Sequence, residues 1–439
     1  MRKIAIVGAG QAGMVLAFGL LQEGYEVTVF EGRPAEEIEK GQMFSTAMVF
    51  DRQLDVERRY GLHEWEAKAP LCDGMHATLR LPDGRIILQT QGGFDETCQG
   101  VDGRVKTSVW MRRFAERGGK LVNQALNRSG LEQISEQYDL VVVSTGRGAL
   151  SEIFERDEER SLFDAPARRL GAVILKNVKE WAEIPYTPCK FQFFVQIGEF
   201  FAIPFYSHSG PARAVVFEAP EGSPMDVWGG VDSADKALAT ALRLIRQFAP
   251  EDYPNYQRAE LVDDRSWLKG AITPTVRKPV ARLRNGRAVM GLGDAVAVND
   301  PISGSGANDA VRMADRYIRS ILDRGGRAFD ADWMQETFDQ HYHDHGRHTM
   351  KFTKLMTGHM TDPLWKVFQA AAISPGVAHT FVNVYTDIQK TLTWLTDMKA
   401  ADAICDAYAH EWQGAQFLTV AQAMARFMPQ QPAVSIQAA

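Results

Sequence analysis

The chain reads as an α/β protein. A Rossmann-like nucleotide-binding domain carries an inserted, mainly antiparallel β-sheet domain and is followed by a C-terminal helical segment. Three observations predict this. The β-branched run Ile4–Val7 ends in glycines and opens a helical periodicity. Alternating apolar strands, punctuated by Gly and Pro, fill the stretch from about Gly171 to Ala219. Beyond Ala331 only helical patterns remain. With 439 residues, 45% hydrophobic and 24% charged, the composition is that of a globular protein and excludes a disordered or fibrous chain. A net charge of −6 offers no basic excess for a phosphate backbone, so no nucleic-acid partner is expected. Cys72, Cys98, Cys189 and Cys405 have no paired spacing, which predicts reduced thiols rather than disulfides or a zinc site. The apolar start breaks at Gly8 and no run is long enough to span a membrane, so a cytoplasmic protein without membrane contact is expected.

Taken in order, Ile4–Val7 suits a buried parallel strand. Met14, Val15, Phe18 and Leu21 give Gln11–Gln22 a helical face, closed by Gly24. Tyr25–Phe30 alternates as a second strand and Glu31 follows it, completing a βαβ unit. A helix carrying Trp110, Met111 and Phe114 ends at Gly118-Gly119, and a third strand, Asp139–Val143, runs into Ser144-Thr145-Gly146. Phe191–Ile197, Phe200–Phe205 and Ala214–Glu218 read as antiparallel strands, with a helix over Ala234–Phe248 closing that block. The nucleotide-type pattern resumes at Ala288–Asp294 and continues into a helix from about Gly306 to Leu322. Trp333, Trp365 and Trp394 read as packing anchors of the last segment.

Two motifs carry chemistry. Gly8-Ala9-Gly10-Gln11-Ala12-Gly13 fits GxGxxG in the context that motif requires, after a strand and at the start of a helix. Gly8 permits the tight turn, Gly10 lets backbone N–H groups reach a pyrophosphate, and Gly13 allows close helix–strand packing. The helix start favours phosphate, and Glu31 can accept from ribose hydroxyls. The second motif points to flavin rather than nicotinamide. Asp294 can hold a ribityl hydroxyl. The turn Pro301-Ile302-Ser303-Gly304-Ser305-Gly306-Ala307-Asn308 leads into a helix whose N-terminus can face the flavin pyrimidine ring. Pro301, Gly304, Gly306, Ala307 and Asn308 are therefore candidate cofactor residues.

With those motifs the chain resembles the FAD-dependent aromatic hydroxylase superfamily, and within it the styrene and indole monooxygenase family. The further carriers are Val101-Asp102-Gly103-Arg104-Val105-Lys106, the run Ser135–Gly146 and Phe154-Glu155-Arg156-Asp157. The resemblance implies that Arg104 contacts the FAD phosphate or ribityl region and that Thr145 and Gly146 lie beside the adenosine half. Ser144-Thr145-Gly146 replaces the Asp-Gly pair that serves both FAD and NADPH in single-component hydroxylases. That departure implies reduced FAD supplied by a separate NADH-dependent flavin reductase, with O₂ as co-substrate and no metal. The implied reaction is epoxidation of a small aromatic alkene through a C4a-(hydro)peroxyflavin, with no acid–base residue required of the protein. The expected division is a FAD-binding domain over 1–75, 96–165 and 266–330, and a substrate domain over 76–95 and 166–265. A helical region over 331–428 and a flexible tail over 429–439 complete it. A homodimer is the oligomer considered.

The resemblance also implies a substrate pocket on Phe44–Phe50. Styrene-preferring members carry Asn-x-Val-x-His there and indole-preferring ones Ser-x-Gln-x-Met. Here Ser45 matches the indole branch, whereas Ala47 and Val49 match neither and suggest a differently shaped pocket. The alternatives are a flavin enzyme of the same fold oxidising nitrogen or sulfur, and a non-catalytic FAD-binding protein. Halogenase chemistry is disfavoured, because no Trp-x-Trp-x-Ile-Pro stretch exists. His341 and His345 stand at i and i+4, but with His343, Asp344 and His348 they read as a solvated helix face rather than a metal site.

Overall fold

The computed structural model describes residues 2–428; the expected tail over 429–439 lies outside the described residues. The strand Lys3–Val7 sits inside a six-stranded sheet because its neighbours on both sides, Glu26–Glu31 and Leu140–Val143, run parallel to it and match its apolar runs. Lys120–Asn123 extends the sheet beyond Glu26–Glu31, and Ala288–Gly291 pairs in parallel with Leu140–Val143. The helices Gln11–Gln22 and Gly306–Arg324 pack against each other over this sheet. Gly19 is the contact: an added Cβ would lie 2.3 Å from Ile318 Cδ1.

The second sheet has nine strands and takes in more chain than the expected 76–95 and 166–265. Leu71–Arg80, Ile86–Gly100, Met48–Phe50 and Trp267–Ala271 all belong to it, together with Arg169–Lys176, Pro188–Phe194, Gly198–Ser207 and Gly210–Ala219. Its pairs are antiparallel except where Leu71–Arg80 meets Pro188–Phe194 in parallel. One face is covered by Ala234–Phe248, whose buried stripe Ala237, Ala241, Leu244, Ile245 and Phe248 has helical spacing. The C-terminal helices cover part of the rest, with Trp365 and Trp394 in that core, while Trp333 joins the core of the first sheet.

Asp102, at the end of the long strand Ile86–Gly100, caps the helix Gly103–Glu116 by accepting from the Arg104 N–H. The Arg104 guanidinium then turns away from its own helix and closes the junction. It bonds Asp102 at 2.7 Å, Asp263 at 3.0 Å, the Gly41 carbonyl at 3.1 Å and the Ser266 hydroxyl at 2.9 Å. Arg104 and Asp102 are each only 1% exposed, and from this buried pair the guanidinium reaches Gly41, Asp263 and Ser266 of other segments. Removing one partner of such a pair leaves an uncompensated charge. Arg104→Met is expected to lower the unfolding free energy by about 3–5 kcal/mol in urea titrations. A loss below about 1 kcal/mol would mean that the junction does not depend on this side chain.

Candidate functional site

A cavity of about 380 Å³ is lined by residues of both sheets. Its first wall is the glycine turn. Gly8 has φ +106°, and a Cβ there would stand 2.4 Å from the Ser144 carbonyl oxygen; at Gly13 it would meet the Gly8 carbonyl oxygen at 2.3 Å. The turn therefore closes only without side chains at those positions. Gly10 caps the helix Gln11–Gln22 with no side-chain hydrogen bond, and Ser305 caps Gly306–Arg324 with none either. Two uncapped helix starts thus meet one cavity, which suits phosphate and a developing flavin anion. The Thr145 hydroxyl is buried beside them and has no partner. These features fit a flavin dinucleotide.

Gly10, Gln11, Ala12, Gly146, Asp294, Pro301, Gly304, Gly306 and Ala307 line the cavity, as do Ser45, Ala47 and Val49. Burial raises the Asp294 carboxyl above its ordinary value, opposed by Arg147. Gly304 takes the left-handed φ of +59° that the Asp300–Gly304 turn requires. The remaining candidates stand behind the wall. Gly8 and Gly13 shape the turn. Glu31 accepts from the Ala9 N–H at 3.1 Å. Asn308 accepts from the Phe50 N–H at 3.0 Å and donates to the Met48 and Gly304 carbonyls at 2.9 and 2.8 Å. It fastens the flavin-type turn to the strand that bears Val49.

Arg104 departs from the expectation of a phosphate or ribityl contact. It is absent from the cavity wall, and the junction contacts already occupy its guanidinium. Lys106, two residues on and so on a different helix face, reaches the cavity instead. Its Nζ lies 2.5 Å from Glu57 Oε1, which also accepts from Gln11 Nε2 at 3.0 Å. Burial raises the Glu57 carboxyl, with Lys106 opposing.

The opposite end of the cavity is apolar, lined by Met75, Phe191, Phe201, Ile203, Val216 and Tyr385. Phe191 stacks on Phe201 at 4.8 Å and on Tyr385 at 6.0 Å between ring centroids. Sequence reasoning missed this wall. Alternation showed that Phe191 and Phe201 share a sheet, but which face meets the cofactor turn is a long-range property. The histidine cluster is also corrected. His341 shares the buried face of Ala331–His341 with Met334, Thr337 and Phe338, and a π-helical turn, Tyr342–Gly346, follows it. His341 is 1% exposed with Nε2 at 3.2 Å from Asp309, and burial with His341 beside it lowers His345 to about 4. Only His343 of this group is strongly exposed.

Comparisons agree with this geometry. Residues 146–255 match the family described as "Styrene monooxygenase A putative substrate binding domain". The chain is 32% identical over 320 residues to styrene monooxygenase StyA of a Pseudomonas species, covering 70% of this chain and 74% of that protein. StyA of Pseudomonas fluorescens is 32% identical over 324 residues, covering 71% and 75%. Among solved structures, a triple mutant of the flavin-dependent brominase Bmp2 superposes with TM-score 0.62 at 14% identity, covering 93% of this chain and 98% of its own. The p-nitrophenol 4-monooxygenase PnpA from Pseudomonas putida DLL-E4 does so with TM-score 0.58 at 14% identity, covering 92% and 99%. These two show the shared fold. The extent and identity of the StyA matches place the chain in the styrene monooxygenase family, as a flavin-dependent monooxygenase.

Proposed function

We propose that the chain is the oxygenase of a two-component system that epoxidises a small aromatic alkene of the styrene or indole type. It would use O₂ and reduced FAD delivered by a separate NADH-dependent flavin reductase. The observation that carries this reading is the aromatic wall of Phe191, Phe201 and Tyr385 in the same cavity as the Pro301–Ala307 turn. Bound reduced FAD would supply the activated oxygen. The chain's own residues have the remaining tasks. Gly10, Gln11 and Ala12 hold phosphate, Asp294 accepts from the ribityl chain, and the start of Gly306–Arg324 faces the ring. Phe191 and Phe201 offer stacking faces to an arene, and the apolar end excludes water. Cys189 lines this wall, but burial pushes its thiol well above the ordinary value, which leaves it unreactive. Ser144-Thr145-Gly146 in place of an Asp-Gly pair supports an external source of reduced flavin.

Mixing protein and pre-reduced FAD with isotopically labelled O₂ and styrene or indole, without NAD(P)H, tests the assignment. Epoxide-derived product carrying one labelled atom is expected. Flavin reoxidation to hydrogen peroxide with no labelled product would refute it, and labelled sulfoxide from a thioether alone would favour heteroatom oxidation.

Two substitutions examine the site itself. Gly8→Ala, strained at φ +106° and crowded by Ser144, is expected to weaken FAD binding by at least about tenfold in a fluorescence titration. Ala47→Leu narrows the cavity and is expected to shift kcat/KM preference between styrene and the larger indole by about tenfold. An unchanged ratio would place the substrate elsewhere.

A further inference from the structure

Behind the cofactor turn lies a cluster of three carboxyl groups that the reading above does not use. Glu199 and Glu218 are directly opposite each other on the antiparallel strands Gly198–Ser207 and Gly210–Ala219. Asp300, just ahead of the Pro301 turn, brings its carboxyl to within hydrogen-bonding reach of Glu218. All three are nearly inaccessible, at 4%, 0% and 1% exposure. Among the described residues one cation serves them: Arg168 Nε donates to Glu199 at 2.7 Å, and its Nη1 donates to the carbonyls of Ala167 and Thr357. Both Glu218 oxygens and Asp300 Oδ2 find no donor at all. Two ionised carboxylates cannot face each other in a dry site without a donor. A proton between Glu218 and Asp300 joins one Glu218 oxygen to Asp300 Oδ2 and removes one of the two facing charges.

We propose that Glu218 and Asp300 share one proton at neutral pH, and that the pair is the proton store of the flavin cavity. Asp300 lines the cavity, while Glu218 acts through it as a positioning residue. Oδ1 of Asp300 is already committed to the Ile302 N–H, so Oδ2 is the atom that carries or receives the proton. The use of that proton rests on the proposed function, whose balance requires it. Alkene, O₂, anionic reduced flavin and one proton give epoxide, oxidised flavin and water. The O–O bond breaks, one oxygen bonds to both alkene carbons, and two electrons leave the flavin. The second oxygen departs as water with the flavin's proton and the one from the pair, which is then reprotonated from solvent.

The groups facing the pair from neighbouring elements are Glu199, Arg168 and, from the 3-10 turn Asn383–Tyr385, the Tyr385 phenol. Burial raises Glu218 well above the ordinary glutamate value of 4.5, with Asp300 and Glu199 adding to the effect and Arg168 opposing it. Burial also raises Asp300, and lifts Glu199 to about 7 against the pull of Arg168. A carboxyl raised on folding binds its proton more tightly in the native state. The chain is therefore most stable at low pH within this window and loses stability as pH climbs from the ordinary carboxyl range towards the raised value.

The test compares the wild-type chain with Glu218→Gln, a near-isosteric change, and with Asp300→Asn in case the first fails to fold. Infrared spectra of the flavin-free protein from about pH 6 to about pH 9 should show a protonated-carboxyl band that Glu218→Gln removes. Urea titrations over the same range should show a decline in stability with pH that Glu218→Gln flattens. With pre-reduced FAD, product per flavin oxidised should fall about a hundredfold in either variant at the upper end and recover partly towards acid. A wild-type chain without the band overturns the proposal. So does a lost band with an unchanged pH profile of product formation. The first two readouts need no flavin, so a chain that shows the pair yet oxygenates nothing refutes the proposed function and leaves the shared proton standing.

Discussion

The site depends on backbone approaching backbone with no side chain between. At Gly8 the turn after the first strand lies so close to Ser144, at the end of a strand far along the chain, that a single methyl group would collide with a carbonyl. The helix Gln11–Gln22 begins directly after that turn, and Gly306–Arg324 starts at the same cavity beyond the Pro301–Ser303 turn, so two uncapped helix starts meet there. The rest follows from that geometry. Asn308 ties the second helix start to Met48–Phe50, which turns Val49 towards the same space, and the larger sheet supplies the apolar end. Two uncapped helix starts and the side chains of Lys106 and Arg147 give the cavity its positive character.

Much of this was legible in the sequence, for physical reasons that differ from residue to residue. Gly8, Gly10 and Gly13 were readable because their spacing encodes a local conformation that only glycine tolerates, and Pro301–Asn308 because a turn followed by a helix is local too. The helix around Ala234–Phe248 was readable as the close of the alternating-strand block, and its buried stripe has helical spacing. What was illegible is what depends on rotation about an axis or on partners distant in the chain. Arg104 and Lys106 stand on one helix, two residues apart, and a motif cannot say which faces the ligand. His341 looked solvated because its sequence neighbours are polar, whereas it closes the buried stripe of Met334, Thr337 and Phe338 on its own helix. The wall of Phe191, Phe201 and Tyr385 joins two strands to a C-terminal turn, a meeting that no local pattern announces.

The same logic explains why the larger sheet claims more chain than its alternating strands suggest. Leu71–Arg80 and Ile86–Gly100 are linked by a tight turn at Pro82–Gly84 and pair along most of their length, with irregularities near Asp73 and Leu79. Gly74, Gly92 and Gly100 lie in these strands, and Gly100 leaves room for Phe205 against the backbone. Glycine-rich strands lack a strong apolar alternation, so their membership becomes visible only once the neighbouring strand is in place.

The Arg104 junction has a consequence for traffic through the cavity. Widening the gap around Arg104 would break its bonds to the Gly41 carbonyl, Asp263 and Ser266 and leave those buried groups without partners, although Asp102, two residues away on the same segment, would stay with it. A softer edge of the cavity lies elsewhere. The segment Phe44–Met48 has that character: it lies outside regular structure until its last residue, its Phe44 ring is 44% exposed, and that ring rests on Gly103 at the cavity rim. Swinging one aromatic side chain costs far less than parting two sheets, so the rim yields at Phe44 before the walls do.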